Sequence, residues 1–217
     1  MPADADSPDE RFQSLREGST DAQAVQAYYD DWAENYDSTL SDWNYRAPQD
    51  ACDLLVPHLP EGARILDVGC GTGLMGDALR ARGDYVLDGV DISGRSLAVA
   101  VQRGSYAELV QHDLQQLPLP FGDDAVDAAV SVGVLTYVDA AEPLMRDLCR
   151  IVCGGGAIAF TQRDDLWATR RFPDMLKRLE DEGLWQVAHV SEPRAYLPGN
   201  DDFGDEIKVI HTLCKVA

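Results

Sequence analysis

The sequence predicts an α/β protein built on a doubly wound, mostly parallel sheet, and three observations carry that prediction. First, strand-like apolar runs alternate with helical patterns between about residues 64 and 182. Repeated strand–helix–strand units imply right-handed crossovers and helices on both faces of one sheet. Second, Ile65-Leu66-Asp67-Val68-Gly69-Cys70-Gly71-Thr72-Gly73 is an apolar run that breaks into three alternating glycines just before a helical pattern. Glycines there permit positive φ and remove the Cβ that would block a ligand. Third, two strand-like segments close the chain, 184–190 and 207–216, with no helix between them. They can pair as a hairpin, which makes at least one edge strand antiparallel.

The elements follow in order. Residues 1–20 are rich in Asp, Ser, Pro and Glu with little to bury, and read as a loose acidic tail. From 21 to 37 the pattern is helical, with Tyr28, Trp32 and Tyr36 at i, i+4 and i+8 along one face. A second helix over about 48–59 carries Ala51, Leu54, Leu55 and Leu59 before the Pro60-Glu61-Gly62 break. Strands are expected near 64–68, 86–91, 106–112, 125–132 and 155–162. Helices are expected near 73–82, 95–103, 140–152 and 166–182. Residues 21–217 thus read as one domain, with a helical region over 21–60 and a sheet core over 61–217.

Composition narrows the function classes. A chain of 217 residues, 45% hydrophobic, can bury a full core. Its formal charge of −20 comes from 28 Asp and 10 Glu against 15 Arg and 3 Lys. Such a surface repels nucleic-acid phosphate and anionic lipid, so neither is an expected partner. The Asp-rich, Lys-poor balance fits adaptation to high salt, and it fits equally a GC-rich genome. Cys52, Cys70, Cys149, Cys153 and Cys214 form no CxxC pair and have no histidine cluster nearby, so no metal is expected. Cys149 and Cys153 stand one helical turn apart, as packing thiols in a reduced compartment do. No segment is long enough to span a bilayer and none resembles a secretory signal, so a soluble cytoplasmic protein is expected.

In a doubly wound sheet the ligand lies outside the carboxyl ends of the strands. Asp67, at the end of the first strand, is a poor neighbour for phosphate and a good partner for an ammonium group. Together with the loop glycines Gly69, Gly71 and Gly73, it points to S-adenosylmethionine (SAM) rather than a dinucleotide. Asp91 lies 22 residues beyond Gly69, near the spacing at which an acid accepts both ribose hydroxyls. Ile92 would then lie beside adenine. Asp113 would accept from the exocyclic amine and Leu114 would cover the ring, while the backbone around Val132 would face the methionine part. Gly71-Thr72-Gly73-Leu74-Met75-Gly76 also spells GxGxxG, which keeps an NAD-dependent oxidoreductase in view, although its register is late and it leaves Asp67 without a role. A third reading is that the glycines only make a tight turn.

The stretch Asp67-Val68-Gly69-Cys70-Gly71-Thr72-Gly73 resembles motif I of class I SAM-dependent methyltransferases. The chain more closely resembles the Williams–Beuren-region methyltransferase-like group and its bacterial relatives. This resemblance is carried by Tyr29-Asp30-Asp31-Trp32-Ala33-Glu34-Asn35-Tyr36-Asp37, Asp88-Gly89-Val90-Asp91-Ile92-Ser93, Leu117-Pro118-Leu119-Pro120-Phe121, Ser131-Val132-Gly133-Val134-Leu135-Thr136 and Arg163-Asp164-Asp165. It covers about residues 25 to 217 and departs at His112, where relatives more often carry a small residue. It implies a seven-stranded sheet with an antiparallel last strand, and a lid over 21–60 that folds across the cofactor. The lid would bring Tyr36 to the methionine moiety, with Trp43, Tyr45 and Arg46 at the entrance. Arg46 could pair with the methionine carboxylate. The implied activity is methyl transfer from SAM, leaving S-adenosylhomocysteine (SAH).

For the acceptor, the sequence argues by exclusion. Ser131-Val132-Gly133-Val134 is not the Asn/Asp-Pro-Pro-aromatic run of enzymes that hold a flipped base, and no basic domain is appended. A small neutral or cationic molecule is the favoured substrate. Asp164 is the best candidate base, although Asp164 or Asp165 serves equally well as an N-cap for the helix that follows. His112 and His189 are further candidates, and Trp167, Phe172, Trp185 and Tyr196 lie where an acceptor pocket could form. A non-catalytic SAM-binding protein and a partner-dependent protein or nucleic-acid methyltransferase remain as alternatives. Oligomeric state is not legible.

Overall fold

A computed structural model describes residues 15–204 and 206–217; most of the expected acidic tail therefore lies outside the described residues. Strand β1 (Arg64–Val68) is buried at every position after the first, so it must be covered on both faces. It pairs in parallel with β2 (Val86–Asp91) on one side and β4 (Val126–Ser131) on the other. With β3 (Glu108–Gln111), β5 (Val152–Arg163), β6 (Trp185–Val190), β7 (Arg194–Ala195) and β8 (Lys208–Val216), the sheet order is β3-β2-β1-β4-β5-β8-β6. The strand β8 is antiparallel to both β5 and β6 and lies one position inside the edge. Two-residue β7 pairs with the start of β8 and so extends the line of β6, leaving seven strand positions.

Alternation along β1 splits the core. Leu66 and Val68 join Leu144 and Leu148 of α6 (Ala141–Ile151) and Phe172 and Leu176 of α8 (Phe172–Asp181). Ile65 instead meets Leu55 of α3 (Ala47–Leu55) and Leu79 of α4 (Leu74–Arg80). Helix α5 (Gly94–Arg103) starts on Ser93, whose Oγ accepts the Ser96 N–H at 3.0 Å, and ends at Gly104 with φ 65°.

Three details depart from the sequence expectation. The helix expected over 21–37 is two, α1 (Ala22–Trp32) and α2 (Tyr36–Asp42), because the chain turns between them. The helix expected over 166–182 splits into α7 (Asp164–Trp167) and α8, with Arg171 between them at φ 57°. Pro173 lies in the first turn of α8, where its missing N–H costs no helix bond, and marks the new start. Cys149 ends up in α6 and Cys153 in β5, so the two do not share a helix.

The β1–β4 boundary is where chain order reverses, and α1, α2 and the strand ends converge on it. A ligand cleft belongs there.

Candidate cofactor and acceptor site

The loop after β1 holds three glycines at positive φ: Gly69 at 77°, Gly71 at 52° and Gly73 at 96°. A Cβ on Gly69 would lie 2.3 Å from Val134 Cγ2, so only glycine lets the loop pack under the β4 end. A Cβ on Gly71 would meet nothing within 4 Å. It would project toward the open space that the loop borders, a cradle sized for a ligand.

Asp67 is 2% exposed and accepts the Tyr106 hydroxyl at 2.6 Å. Burial pushes its carboxyl up to about 7; the Tyr106 bond opposes this and the Asp91 charge adds to it. Tyr106 in turn accepts the Gly76 N–H at 3.1 Å, which fixes it across the first turn of α4. Asp91 ends β2 with each carboxylate oxygen on a backbone amide, Gly71 N at 2.8 Å and Ser93 N at 2.8 Å. Burial raises its pKa and those amides hold it back. The two acids thus face one loop from adjacent strands.

Above them is a cleft of about 700 Å³. Asp91 and Ile92 line it from the β2 end, Asp113 and Leu114 from the β3 end, and Val132 from the β4 end. Asp113 accepts Gln115 N at 2.9 Å on one oxygen and Gln116 Nε2 at 3.3 Å on the other. Helices α1 and α2 close the top, with Tyr29 and Tyr36 in the wall. A recess of about 340 Å³ continues past Gly69 and Gly71 to Asp67. On the far side Tyr29, Tyr36, Gly133 and Tyr137 are shared with a narrow aromatic chamber. A Cβ on Gly133 would lie 3.0 Å from the Tyr196 hydroxyl and 3.1 Å from that of Tyr45, so both hydroxyls converge on the threshold.

Of the residues expected at the site, Tyr36, Gly69, Gly71, Asp91, Ile92, Asp113, Leu114 and Val132 border the cleft, and Asp67 borders the adjoining recess. Gly73 sits just behind the loop, where a Cβ would press Arg103 at 2.9 Å. Two residues are placed elsewhere. The Arg46 side chain is 70% exposed and leans toward Asp50 at 3.9 Å, because the turn into α3 aims it outward. Asp164 accepts Lys208 N at 2.8 Å and Asp165 N at 3.0 Å, so it ties the start of β8 to β5 and borders neither the cleft nor the chamber. Tyr106 and Tyr137 had no expected role. Tyr137 lies six residues beyond the end of β4, and an aromatic so close to a strand's carboxyl end was the available signal. Tyr106 offered none, since its contact with Asp67 spans 39 residues.

The donor set fits SAM. A carboxylate with both oxygens anchored suits vicinal hydroxyls, an apolar pair with Asp113 suits adenine, and a buried acid suits an ammonium group. Among the described residues, no phosphate-binding cation lines the cleft.

Comparison with known proteins agrees. A family model described as a methyltransferase domain matches residues 66–160. Human methyltransferase-like protein 27 is 37% identical over 165 residues, covering 73% of this chain and 67% of that protein. The Saccharomyces cerevisiae 18S rRNA (guanine(1575)-N(7))-methyltransferase is 31% identical over 120 residues, 55% of this chain but only 43% of the yeast enzyme. Among solved structures, the [4+2]-cyclase SpnF superposes with a TM-score of 0.72 at 18% identity, covering 91% of this chain and 97% of that one, a likeness of fold alone. The chain belongs to the class I SAM-dependent methyltransferases. No helix of the described residues is long and apolar enough to cross a membrane.

Proposed function

We propose that the protein methylates a small-molecule acceptor in the cytoplasm, where its free cysteines stay reduced. The observation that carries this reading is the continuity of the cleft with the aromatic chamber through Tyr29, Tyr36, Gly133 and Tyr137. One end would take a nucleoside and an amino-acid tail, and the other is narrow and walled by aromatic rings. SAM, when bound, supplies a methyl group already activated on a sulfonium. The chain then has to align an acceptor and exclude water. Asp91 holds the ribose hydroxyls, Ile92, Asp113 and Leu114 the adenine, and Asp67 the ammonium. Tyr36 and Gly133 form the threshold between donor and acceptor. The narrow chamber and the charge of −20 favour a small molecule over the RNA acceptors named for the yeast relative.

Calorimetric titration with SAH and, in parallel, NAD tests the donor site. Saturable SAH binding is expected, weakened at least tenfold by Asp91→Ala. Gly71→Ala should keep the fold, at a cost of about 1–2 kcal/mol for a side chain in the left-handed region, and lose SAH. Binding of NAD alone overturns the reading. Transfer to 18S rRNA but to no small acceptor moves the substrate class to RNA, and binding without any transfer points to a non-catalytic SAM-binding protein.

A further inference from the structure

The aromatic chamber has a chemical peculiarity. Among the described residues, its lining includes no carboxylate, histidine, lysine or cysteine. The polar side-chain groups are tyrosine hydroxyls, the Trp32 indole N–H, Thr136 and Arg163. Burial raises Tyr29, Tyr36 and Tyr45 well above the usual phenol range and pushes Tyr196 up to about 12; Tyr137 moves the same way. These hydroxyls stay protonated at neutral pH and cannot take a proton from an acceptor.

The nearest acids are already committed. Asp165 holds Arg163 with both oxygens at 3.0 and 2.6 Å. Asp37 is held by Thr72 at 2.6 Å and by Arg103. Asp91 sits on two backbone amides on the donor side. Nη1 of Arg163 donates to the carbonyls of Leu15 and Arg16, each at 2.9 Å, so four of the five guanidinium N–H groups are engaged and its charge is balanced by Asp165. It also lies over the Phe203 ring at 5.2 Å, which shows that the aromatic wall already carries one cation.

We propose that the chamber takes a small acceptor whose reacting atom is a neutral nitrogen lone pair, so that methylation turns a neutral ligand into a cation held against the aromatic rings. The inference rests on the methyl-transfer reading above. In the step, the nitrogen lone pair forms the N–CH3 bond while the C–S bond breaks with its electron pair going to sulfur. Positive charge passes from sulfonium to nitrogen, and no proton moves, so the absence of a base is no defect. Tyr29, Trp32, Tyr36 and Tyr137 line the chamber, and their electron-rich ring faces would attract the new cation. A phenol or carboxylic acid would instead need a base or an anion partner, and the chamber provides neither.

The test uses the intact protein saturated with SAH. Calorimetry at pH 8 compares isoquinoline, neutral there, with N-methylisoquinolinium, its methylated cation. Both are expected to bind. Trp32→Leu, at a ring that lines the chamber and not the cofactor cleft, should weaken the cation at least tenfold and neutral isoquinoline less than threefold, whereas Tyr196→Phe, which keeps its ring, should leave cation binding within about twofold. Unchanged SAH affinity in each variant shows that the fold and donor site are intact. Failure of the cation to bind the unmodified, SAH-loaded protein overturns the proposal, and failure of SAH itself to bind overturns the methyltransferase reading instead. With SAM present, N-methylisoquinolinium should form at a rate within about twofold between pH 7 and 8.5. Methylation of 2-naphthol at a pH-independent rate would show that a base operates and would also overturn the proposal.

Discussion

Asp67 is where local chemistry and stability meet. Its carboxyl sits near 7 in the folded chain, mainly because burial disfavours the charge, against about 4 for an unfolded aspartate. The folded state therefore binds more protons than the unfolded state between those values. Asp67 accordingly contributes stability below pH 4 that is lost as pH rises toward 7. Across that interval the ligand-free protein should lose a few kcal/mol through this one group, and Asp67→Asn should abolish that part of the slope. Urea unfolding at pH 5 and pH 8 checks it, and equal slopes in parent and variant would refute it. Tyr106→Phe removes the opposing hydrogen bond and should push the transition upward. Sequence reading found Asp67 from its place at a strand end. It could not find Tyr106, because nothing local links a tyrosine before β3 to a glycine loop 39 residues earlier.

At the scale of elements, α1 and α2 are fastened to the cofactor loop by a pair of aspartates. Asp30 accepts Ser93 Oγ at 2.6 Å and Arg95 N at 3.1 Å, which joins α1 to the start of α5. Asp37 accepts Thr72 Oγ1 at 2.6 Å and pairs with Arg103, which joins α2 to the loop itself. Charge-assisted bonds of this kind contribute about 1.5–3 kcal/mol each when partly buried. The double variant Asp30→Asn/Asp37→Asn should thus let the two helices open more often. Hydrogen exchange should quicken over residues 22–42 while the sheet amides stay protected, and SAH should dissociate about tenfold faster. Unchanged exchange over 22–42 would show that ring packing of Tyr29 and Trp32 alone holds the helices down. The helical character of 21–37 was legible from its aromatic spacing. Its break was not, since the turn before Tyr36 follows from where Asp37 must land rather than from a Gly or Pro. The break before Phe172 is marked in the sequence by Pro173, which favours the first turn of a helix.

Over the whole molecule, the mostly parallel α/β alternation and the residues that border the cleft at the strand ends were legible in the sequence, because each strand carries its own end, whereas the strand order was not. Of the chamber only Tyr45 and Tyr196 were expected near an acceptor, because its wall gathers Tyr29, Tyr45, Tyr137, Arg163, Tyr196 and Phe203 from segments that only the closed sheet brings together. Net charge was readable at once, and the structure indicates how to interpret it. Many aspartates do internal work: Asp88 pairs with Arg64 at 2.6 Å, Asp127 accepts Arg64 N at 2.8 Å, and Asp147 accepts Leu119 N at 2.7 Å. These serve the fold at any ionic strength. What remains of the charge of −20 is mutual repulsion among exposed carboxylates, which screening relieves as the Debye length shrinks from about 10 Å at 0.1 M to about 3 Å at 1 M salt. Isolated surface ion pairs contribute about 0–1 kcal/mol each, so weakening them offsets only part of the gain. The melting temperature should therefore rise by several degrees between 0.05 and 0.5 M KCl and then level off. Calorimetric scans in KCl, with sucrose as an uncharged control, measure this. A rise continuing to several molar would mark a surface adapted to high salt, and a fall from the outset would mean that the ion pairs outweigh the repulsion.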